Sequence, residues 1–282
     1  MEAVDKKERN DVLKVIAMVT MLIDHIGYIF FPNMMILRTI GRIAFPIFAY
    51  LIGIGYEHTS SLKKYMVRLF IFAMITQLPY SFFNKNLSYE PYQLNILFTL
   101  LVGVLFIHLI NKNIEIVKTK IFINYIKLIL NTGVMFFILY MNEYSKFVGL
   151  GRGLEYGWYG IALILIFYYT KNNTLFLILN YSILTFAHAF YNIFFSLIQR
   201  SQASAIDYFI NNWQLITGYI FSDTKEILTL NSYFFQGRSI MSLYFIKFFN
   251  KEKFYLRLNP WVGYIFYPGH MSLLIFIRFL MK

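Results

Sequence analysis

The chain has 282 residues with 26 Lys or Arg against 14 Asp or Glu, a formal net charge of +12. Apolar residues make up 58% and charged residues only 14%, where a soluble domain carries about 45–50% and about 25%. That balance excludes a disordered chain and an ordinary soluble globule. With no cysteine, disulfides, thiolate chemistry and thiolate metal sites are excluded too. The basic residues sit in short clusters between apolar runs and do not gather on one polar face, so the charge does not point to nucleic acid. The class is an integral membrane protein.

A membrane-spanning helix needs about 20 mostly apolar residues. Runs of this kind lie near 12–32, 39–57, 65–83, 93–111, 121–141, 154–170, 174–198, 233–249 and 261–280. The first is too long for a signal peptide and lacks a small-residue cleavage site, so it reads as a retained helix. The expected fold is an all-α polytopic transmembrane bundle of about nine spans, forming a single domain over 1–282. The stretch 199–232 reads as an external insert. Within it 205–221 is a candidate tenth span, although Asp207, Asn211 and Asn212 interrupt it.

Short basic loops stay cytoplasmic. Placing Lys6, Lys7, Arg9 and Lys14 inside also puts the groups Lys63, Lys64, Arg68; Lys112, Lys118, Lys120; Lys171; and Lys247, Lys251, Lys253, Arg257 inside. The expectation is therefore a cytoplasmic N-terminus, an external C-terminus and a multi-pass location, in the manner of a bacterial cytoplasmic membrane protein.

Charged side chains inside a span cost about 2.5–3.5 kcal/mol on insertion scales and each asks for a reason. In the first span Asp24 and His25 stand together within Met21-Leu22-Ile23-Asp24-His25-Ile26-Gly27. Neighbouring helical residues point about 100° apart, so the two cannot face one neighbour. They read either as a structural polar clamp or as a general base with a charged companion. Arg38 and Arg42 follow one turn apart at the start of the second span. They either snorkel to the interface or offer a guanidinium to an oxyanion. Beside Arg42, Gly41 permits close approach and Pro46 frees backbone carbonyls, which favours the second reading.

At the other end of that span, His58-Thr59-Ser60-Ser61-Leu62-Lys63-Lys64-Tyr65 leads to Arg68. This is either a positive-inside loop or a phosphate grip at a helix N-terminus. Gln77, Asn95, Glu155, Tyr159, His188 and Arg238 supply further polar groups from other spans, each a candidate for lining one outward cavity; helix-to-helix hydrogen bonding also accounts for Gln77 and Asn95, and a boundary belt for Tyr159. His188 has Asn192 one turn beyond it. His270 lies in the last span within Tyr267-Pro268-Gly269-His270, where Pro and Gly suggest a broken helix beside a cavity. His108 reads as interfacial. No pair of histidines has metal-ligand spacing, and no metal is expected.

At these residues the chain resembles the TraX family of integral membrane proteins, named for the pilin N-acetylation protein. The matching pieces are Lys14 with Leu22-Ile23-Asp24-His25-Ile26-Gly27, and Gly41-Arg42-Ile43-Ala44-Phe45-Pro46-Ile47-Phe48. They continue through His58-Thr59, Lys64-Tyr65, Arg68 and Phe72-Ala73 to Gln77-Leu78-Pro79-Tyr80. Asn95 to Leu100, Tyr156-Gly157-Trp158-Tyr159-Gly160 and Tyr267-Pro268-Gly269-His270 complete the set. The likeness covers 12–170 well and 233–280 more loosely, and 199–232 departs from it.

The resemblance implies acetyl transfer from acetyl-CoA, and a wider similarity to membrane acyltransferases that modify surface sugars. In those relatives a basic residue precedes a first-span histidine by eleven positions, a spacing that Lys14 and His25 share. The mechanism this implies is concrete. Coenzyme A docks from the cytoplasm, with its phosphates on Lys63, Lys64 and Arg68 and with His58 and Lys14 nearby, and its arm threads the bundle. His25 acts as base with Asp24 orienting or charging the imidazole, Arg42 or Arg38 stabilises the oxyanion, and His270 is a reserve base or acetyl carrier. The acceptor is the amine or hydroxyl of a peptide N-terminus or surface glycan. The rival readings are a proton-coupled small-solute transporter and a noncatalytic membrane partner.

Overall fold

The structure, a computed structural model, describes residues 10–84, 86–119, 122–147, 151, 153–201, 234–249 and 255–281. Lys6, Lys7, Arg9, Lys120, Lys251 and Lys253, and the candidate span 205–221, lie outside the described residues. The described chain is all-α apart from one two-residue bridge. Its helices are α1 (Val12–Phe30), α2 (Met35–Gly41), α3 (Ala44–His58), α4 (Leu62–Phe82), α5 (Ile96–Thr119), α6 (Phe122–Phe147), α7 (Gly157–Thr170) and α8 (Thr174–Ser201). A 3₁₀ segment (Phe234–Met241) runs into α9 (Ser242–Phe249), and α10 (Val262–Leu280) follows. Each apolar run picked out along the sequence falls on a helix. Among the described residues six segments are long and apolar enough to cross a membrane: Val12–Phe30, Met35–His58, Ile96–Thr119, Asn124–Ser145, Thr174–Asn192 and Val262–Leu280.

The second of these is broken. Pro46 has no N–H to give the carbonyl of Arg42, and its ring crowds that carbonyl. The backbone responds locally: Arg42 N–H bonds Thr39 O and Ile43 N–H bonds Ile40 O, both at 3.2 Å, before α3 restarts at Ala44. Close contact with α1 makes the break useful. A Cβ on Gly41 would sit 2.1 Å from Asp24 Cβ, and one on Gly27 would sit 2.6 Å from Leu37 Cβ. Only glycine lets α2 lie this near α1.

The core is a packed belt between the two ends of the bundle. Ala17, Ile47, Val104, Leu163, Ile164 and Met271 are sealed within it. At one end two connecting loops meet as a parallel bridge, β1 (Gln93–Leu94) with β2 (Gly153–Leu154). Leu154 N–H bonds Asn142 Oδ1 at 2.7 Å, and Gly153 takes φ +63° to make the turn. Glu155 N–H then bonds Leu94 O at 3.0 Å, which fixes Glu155 and Tyr156 ahead of α7.

Candidate functional site

A cavity of about 900 Å³ opens at the bridged end of the bundle. Its wall includes Asp24, His25 and Tyr28 of α1, Arg38 and Gly41 of α2, Arg42 at the break, and Phe45 and Phe48 of α3. Ser81 and Tyr80 of α4, the loop residues Glu90, Tyr92 and Gln93, and Glu155 and Tyr156 ahead of α7 extend it. His188 and Asn192 of α8, Gln236, and Tyr267 and Met271 of α10 complete most of the rest.

The charged centre is a carboxylate between two guanidiniums. Arg38 Nη1 donates to Asp24 Oδ2 at 2.8 Å, and Arg42 Nη2 reaches the same oxygen at 3.3 Å. Asp24 is buried, at 8% exposure, and the two cations compensate a charge that hydrocarbon would otherwise penalise. The guanidinium of Arg38 also lies over the Tyr28 ring, 5.1 Å from its centroid. Each guanidinium carries five N–H donors, and the carboxylate occupies only some of them. The group gathers two positive charges on the cavity wall.

His25 has a different partner from the one expected. Asp24 turns to α2 and makes no hydrogen bond to His25. The Nδ1 of His25 lies 2.6 Å from Nε2 of His270, whose own Nδ1 lies 2.7 Å from the Phe266 carbonyl. The ring planes differ by 11° with centroids 4.9 Å apart. Faces in contact stay at about 3.5 Å or more, so a 2.6 Å nitrogen separation means that the rings meet edge to edge, nearly in one plane. Phe83 packs against His25, with centroids 4.7 Å apart. The orienting role assigned to Asp24 is therefore corrected: the 100° between successive side chains sends Asp24 to the arginines and His25 to α10.

The remaining expected residues divide. Glu155 and His188 line the cavity, and His188 is braced by Asn192 and by the Trp158 ring 5.6 Å away. Tyr159 is sealed behind His188, with ring centroids 4.4 Å apart, and does not line it. Gln77 and Asn95 form a buried clamp. Asn95 Nδ2 donates to Ala73 O at 2.8 Å and to Gln77 Oε1 at 2.9 Å, and Gln77 Nε2 donates to Gln93 O at 2.8 Å. They hold the bridge onto α4 and do not meet the cavity. Arg238 ties the 3₁₀ segment to α2 through Thr39 Oγ1 at 2.6 Å and is likewise absent from the cavity wall.

The expected phosphate-binding residues stand at the opposite end. Lys63 and Lys64 are exposed and Arg68 half-buried. Ser61 caps α4 by accepting from Lys64 N–H, and the ring of exposed His58 turns its Nδ1 to Ile54 O at 2.9 Å. Lys14 belongs elsewhere. It pairs with Asp11 at 2.8 Å, and Asp11 in turn accepts from Leu258 N–H at 3.0 Å. Lys14 thus helps tie α1 to the approach to α10. Among the described residues the cavity wall includes none of Lys14, His58, Lys63, Lys64 or Arg68. The belt of Ala17, Ile47, Val104 and Leu163 fills the space between the two ends.

Sequence reasoning missed Tyr28, Glu90, Tyr92, Gln93 and Tyr156 as wall residues. The signal for three of them was available, because 83–95 is a polar loop between apolar runs and such loops cover site entrances. His108 sits in a separate shallow cavity of about 400 Å³ beside α6, with Lys112 and Lys127. Among the described residues no cluster of His, Asp and Glu is arranged to hold a metal.

Two curated bacterial proteins are similar over part of the chain. An uncharacterized protein of Rickettsia prowazekii (strain Madrid E) is 31% identical over 112 residues, 40% of this chain and 42% of that protein. The probable fimbrial assembly protein FimC, serogroup H1, of Dichelobacter nodosus is 31% identical over 104 residues, 33% of this chain and 43% of that protein. The matches thus cover less than half the length of either relative. No solved structure matches. The model of the TraX protein family matches residues 9–278, nearly the whole chain and through the stretch 199–232, and the chain belongs to the TraX family.

Proposed function

We propose that this chain is a membrane-embedded acetyltransferase that moves an acetyl group from acetyl-CoA to an amine or hydroxyl. The acceptor is a peptide N-terminus or a surface glycan. The observation that carries the reading is His25 on the wall of a polar cavity, held by a buried partner, His270, and standing beside the Arg38–Asp24–Arg42 group. A base and oxyanion donors within one cavity are what acyl transfer requires.

The acceptor heteroatom attacks the thioester carbonyl while His25 takes its proton. An N–H donor of Arg42 or Arg38 bonds the tetrahedral oxyanion. The carbon–sulfur bond then breaks, and the proton passes from His25 to the departing thiolate. The products are the acetylated acceptor and free coenzyme A. The fimbrial name of the Dichelobacter relative fits an acceptor on a surface fibre.

The proposed orientation keeps the N-terminus cytoplasmic, with about nine spans and the cavity facing outward. The packed belt then has a consequence. A thioester arriving from the cytoplasmic Lys63–Lys64–Arg68 end must part the helices of that half to reach His25.

Purified protein incubated with labelled acetyl-CoA tests the reading. Donor hydrolysis or label transfer that is lost in His25→Ala supports it. Absence of both in protein of confirmed fold, with proton-dependent solute uptake in vesicles, would replace the enzyme with the transporter.

A further inference from the structure

We infer that His270 is a positioning residue that sets which nitrogen of His25 carries the proton. A backbone carbonyl only accepts hydrogen bonds, so the 2.7 Å contact with Phe266 O makes His270 Nδ1 the donor. A neutral imidazole has one N–H, and His270 Nε2 is therefore a bare acceptor. The 2.6 Å contact between this nitrogen and His25 Nδ1 needs one hydrogen, and only His25 can supply it. His25 thus holds its proton on Nδ1 and presents Nε2 as a lone pair, on a ring that forms part of the cavity wall.

The chain of hydrogen bonds runs from His25 to His270 to the backbone of α10, with no carboxylate in it. When His25 Nε2 takes the acceptor's proton, Nδ1–H stays in place and donates as before, and His270 stays neutral. The same geometry commits the Nε2 lone pair of His270 to a hydrogen bond and so opposes a role as acetyl carrier. The catalytic consequence rests on the acetyl-transfer reading; the tautomer assignment does not.

The first experiment needs no variant. The ring ¹⁵N signals of histidine-labelled protein in lipid nanodiscs report which nitrogens carry protons, and His25→Gln identifies the His25 pair. Wild-type His25 is expected to be protonated on Nδ1 and bare on Nε2. In His270→Ala the preference is lost, and kcat with acetyl-CoA falls about tenfold or more, within the range that a positioned base contributes. In His270→Gln the side-chain carbonyl accepts from His25 Nδ1–H, restoring the tautomer and most of the turnover.

A wild-type His25 protonated on Nε2 would overturn the assignment. So would a His270→Gln enzyme as slow as the alanine variant, together with an acetyl adduct on His270 in wild-type protein analysed by intact mass. If wild-type protein shows the assigned tautomer but no turnover of acetyl-CoA, the acetyl-transfer reading fails and the positioning geometry stands.

Discussion

Replacing Gly41 by Ala is a sharp test of how the site is assembled. The new Cβ would lie 2.1 Å from Asp24 Cβ, 2.3 Å from Cγ and 2.2 Å from Oδ1. The obstructed atoms include the root of the side chain, so rotating the carboxylate does not clear them, and α1 and α2 must move apart by more than an ångström. Overpacking of this kind costs about 1–3 kcal/mol, and the separation also stretches the 2.8 Å bond from Arg38, a charged contact worth about 1.5–3 kcal/mol. Alanine's better helix propensity returns about 1 kcal/mol. The expected net loss is about 2–4 kcal/mol. Gly133 is the control: it is exposed on α6, with nothing within 4 Å of an added Cβ, so Gly133→Ala should stabilise by about 0.5–1 kcal/mol. Unfolding in mixed micelles with increasing denaturing detergent measures both. If Gly41→Ala proves as stable as wild type, the close approach of α1 and α2 is wrong, and the geometry of Asp24 with the arginines falls with it.

Three further outcomes are expected. A double-mutant cycle of Asp24→Asn and Arg38→Gln should give a coupling of about 1–3 kcal/mol in the same unfolding assay, little changed by salt because both side chains are mostly buried. Asn95→Ala removes the Nδ2 bonds to the Ala73 carbonyl and Gln77 Oε1 and the acceptor of Leu97 N–H, and should cost about 1–3 kcal/mol, while kcat per folded molecule stays at the wild-type level. Lys63→Gln with Lys64→Gln should raise KM for acetyl-CoA severalfold at unchanged kcat if the donor docks at the basic end. An unchanged KM removes Lys63 and Lys64 from donor binding.

The helical segments were legible because length and apolarity alone define a membrane helix, and 12–32 and 261–280 map closely onto α1 and α10. Asp24, His25, Arg38, Arg42, His188 and His270 stood out for a related reason: an ionisable group in a span needs a partner or a cavity. What one sequence does not carry is which partner each group takes. Gln77 and Asn95 look no different in sequence from cavity residues, yet they bond each other, because a buried amide is satisfied as well by a neighbouring helix as by a ligand. Tyr159 lies three positions beyond a wall-forming residue, Tyr156, yet the register of α7 buries its ring. Lys14 matched an expected spacing, but its amine answers to Asp11, three residues away and on the same helical face.

The angle between successive helical side chains, which appeared to set Asp24 and His25 at odds, is what lets them serve one site. The cavity lies where α1 meets α2 on one side and α10 on the other, so residues 100° apart reach different walls and still border the same space. Asp24 spends its charge on holding two guanidiniums at the cavity surface, which leaves His25 without a carboxylate partner. A charged orienter would hold a proton on the imidazole more tightly, whereas His270 fixes the ring's direction through neutral hydrogen bonds alone. Direction and charge are thus supplied by separate residues: α10 aims the base, and the broken second span gathers the positive charge. Gly41 and Pro46 make that division possible, the one by letting α2 lie on Asp24 and the other by ending the helix at Arg42.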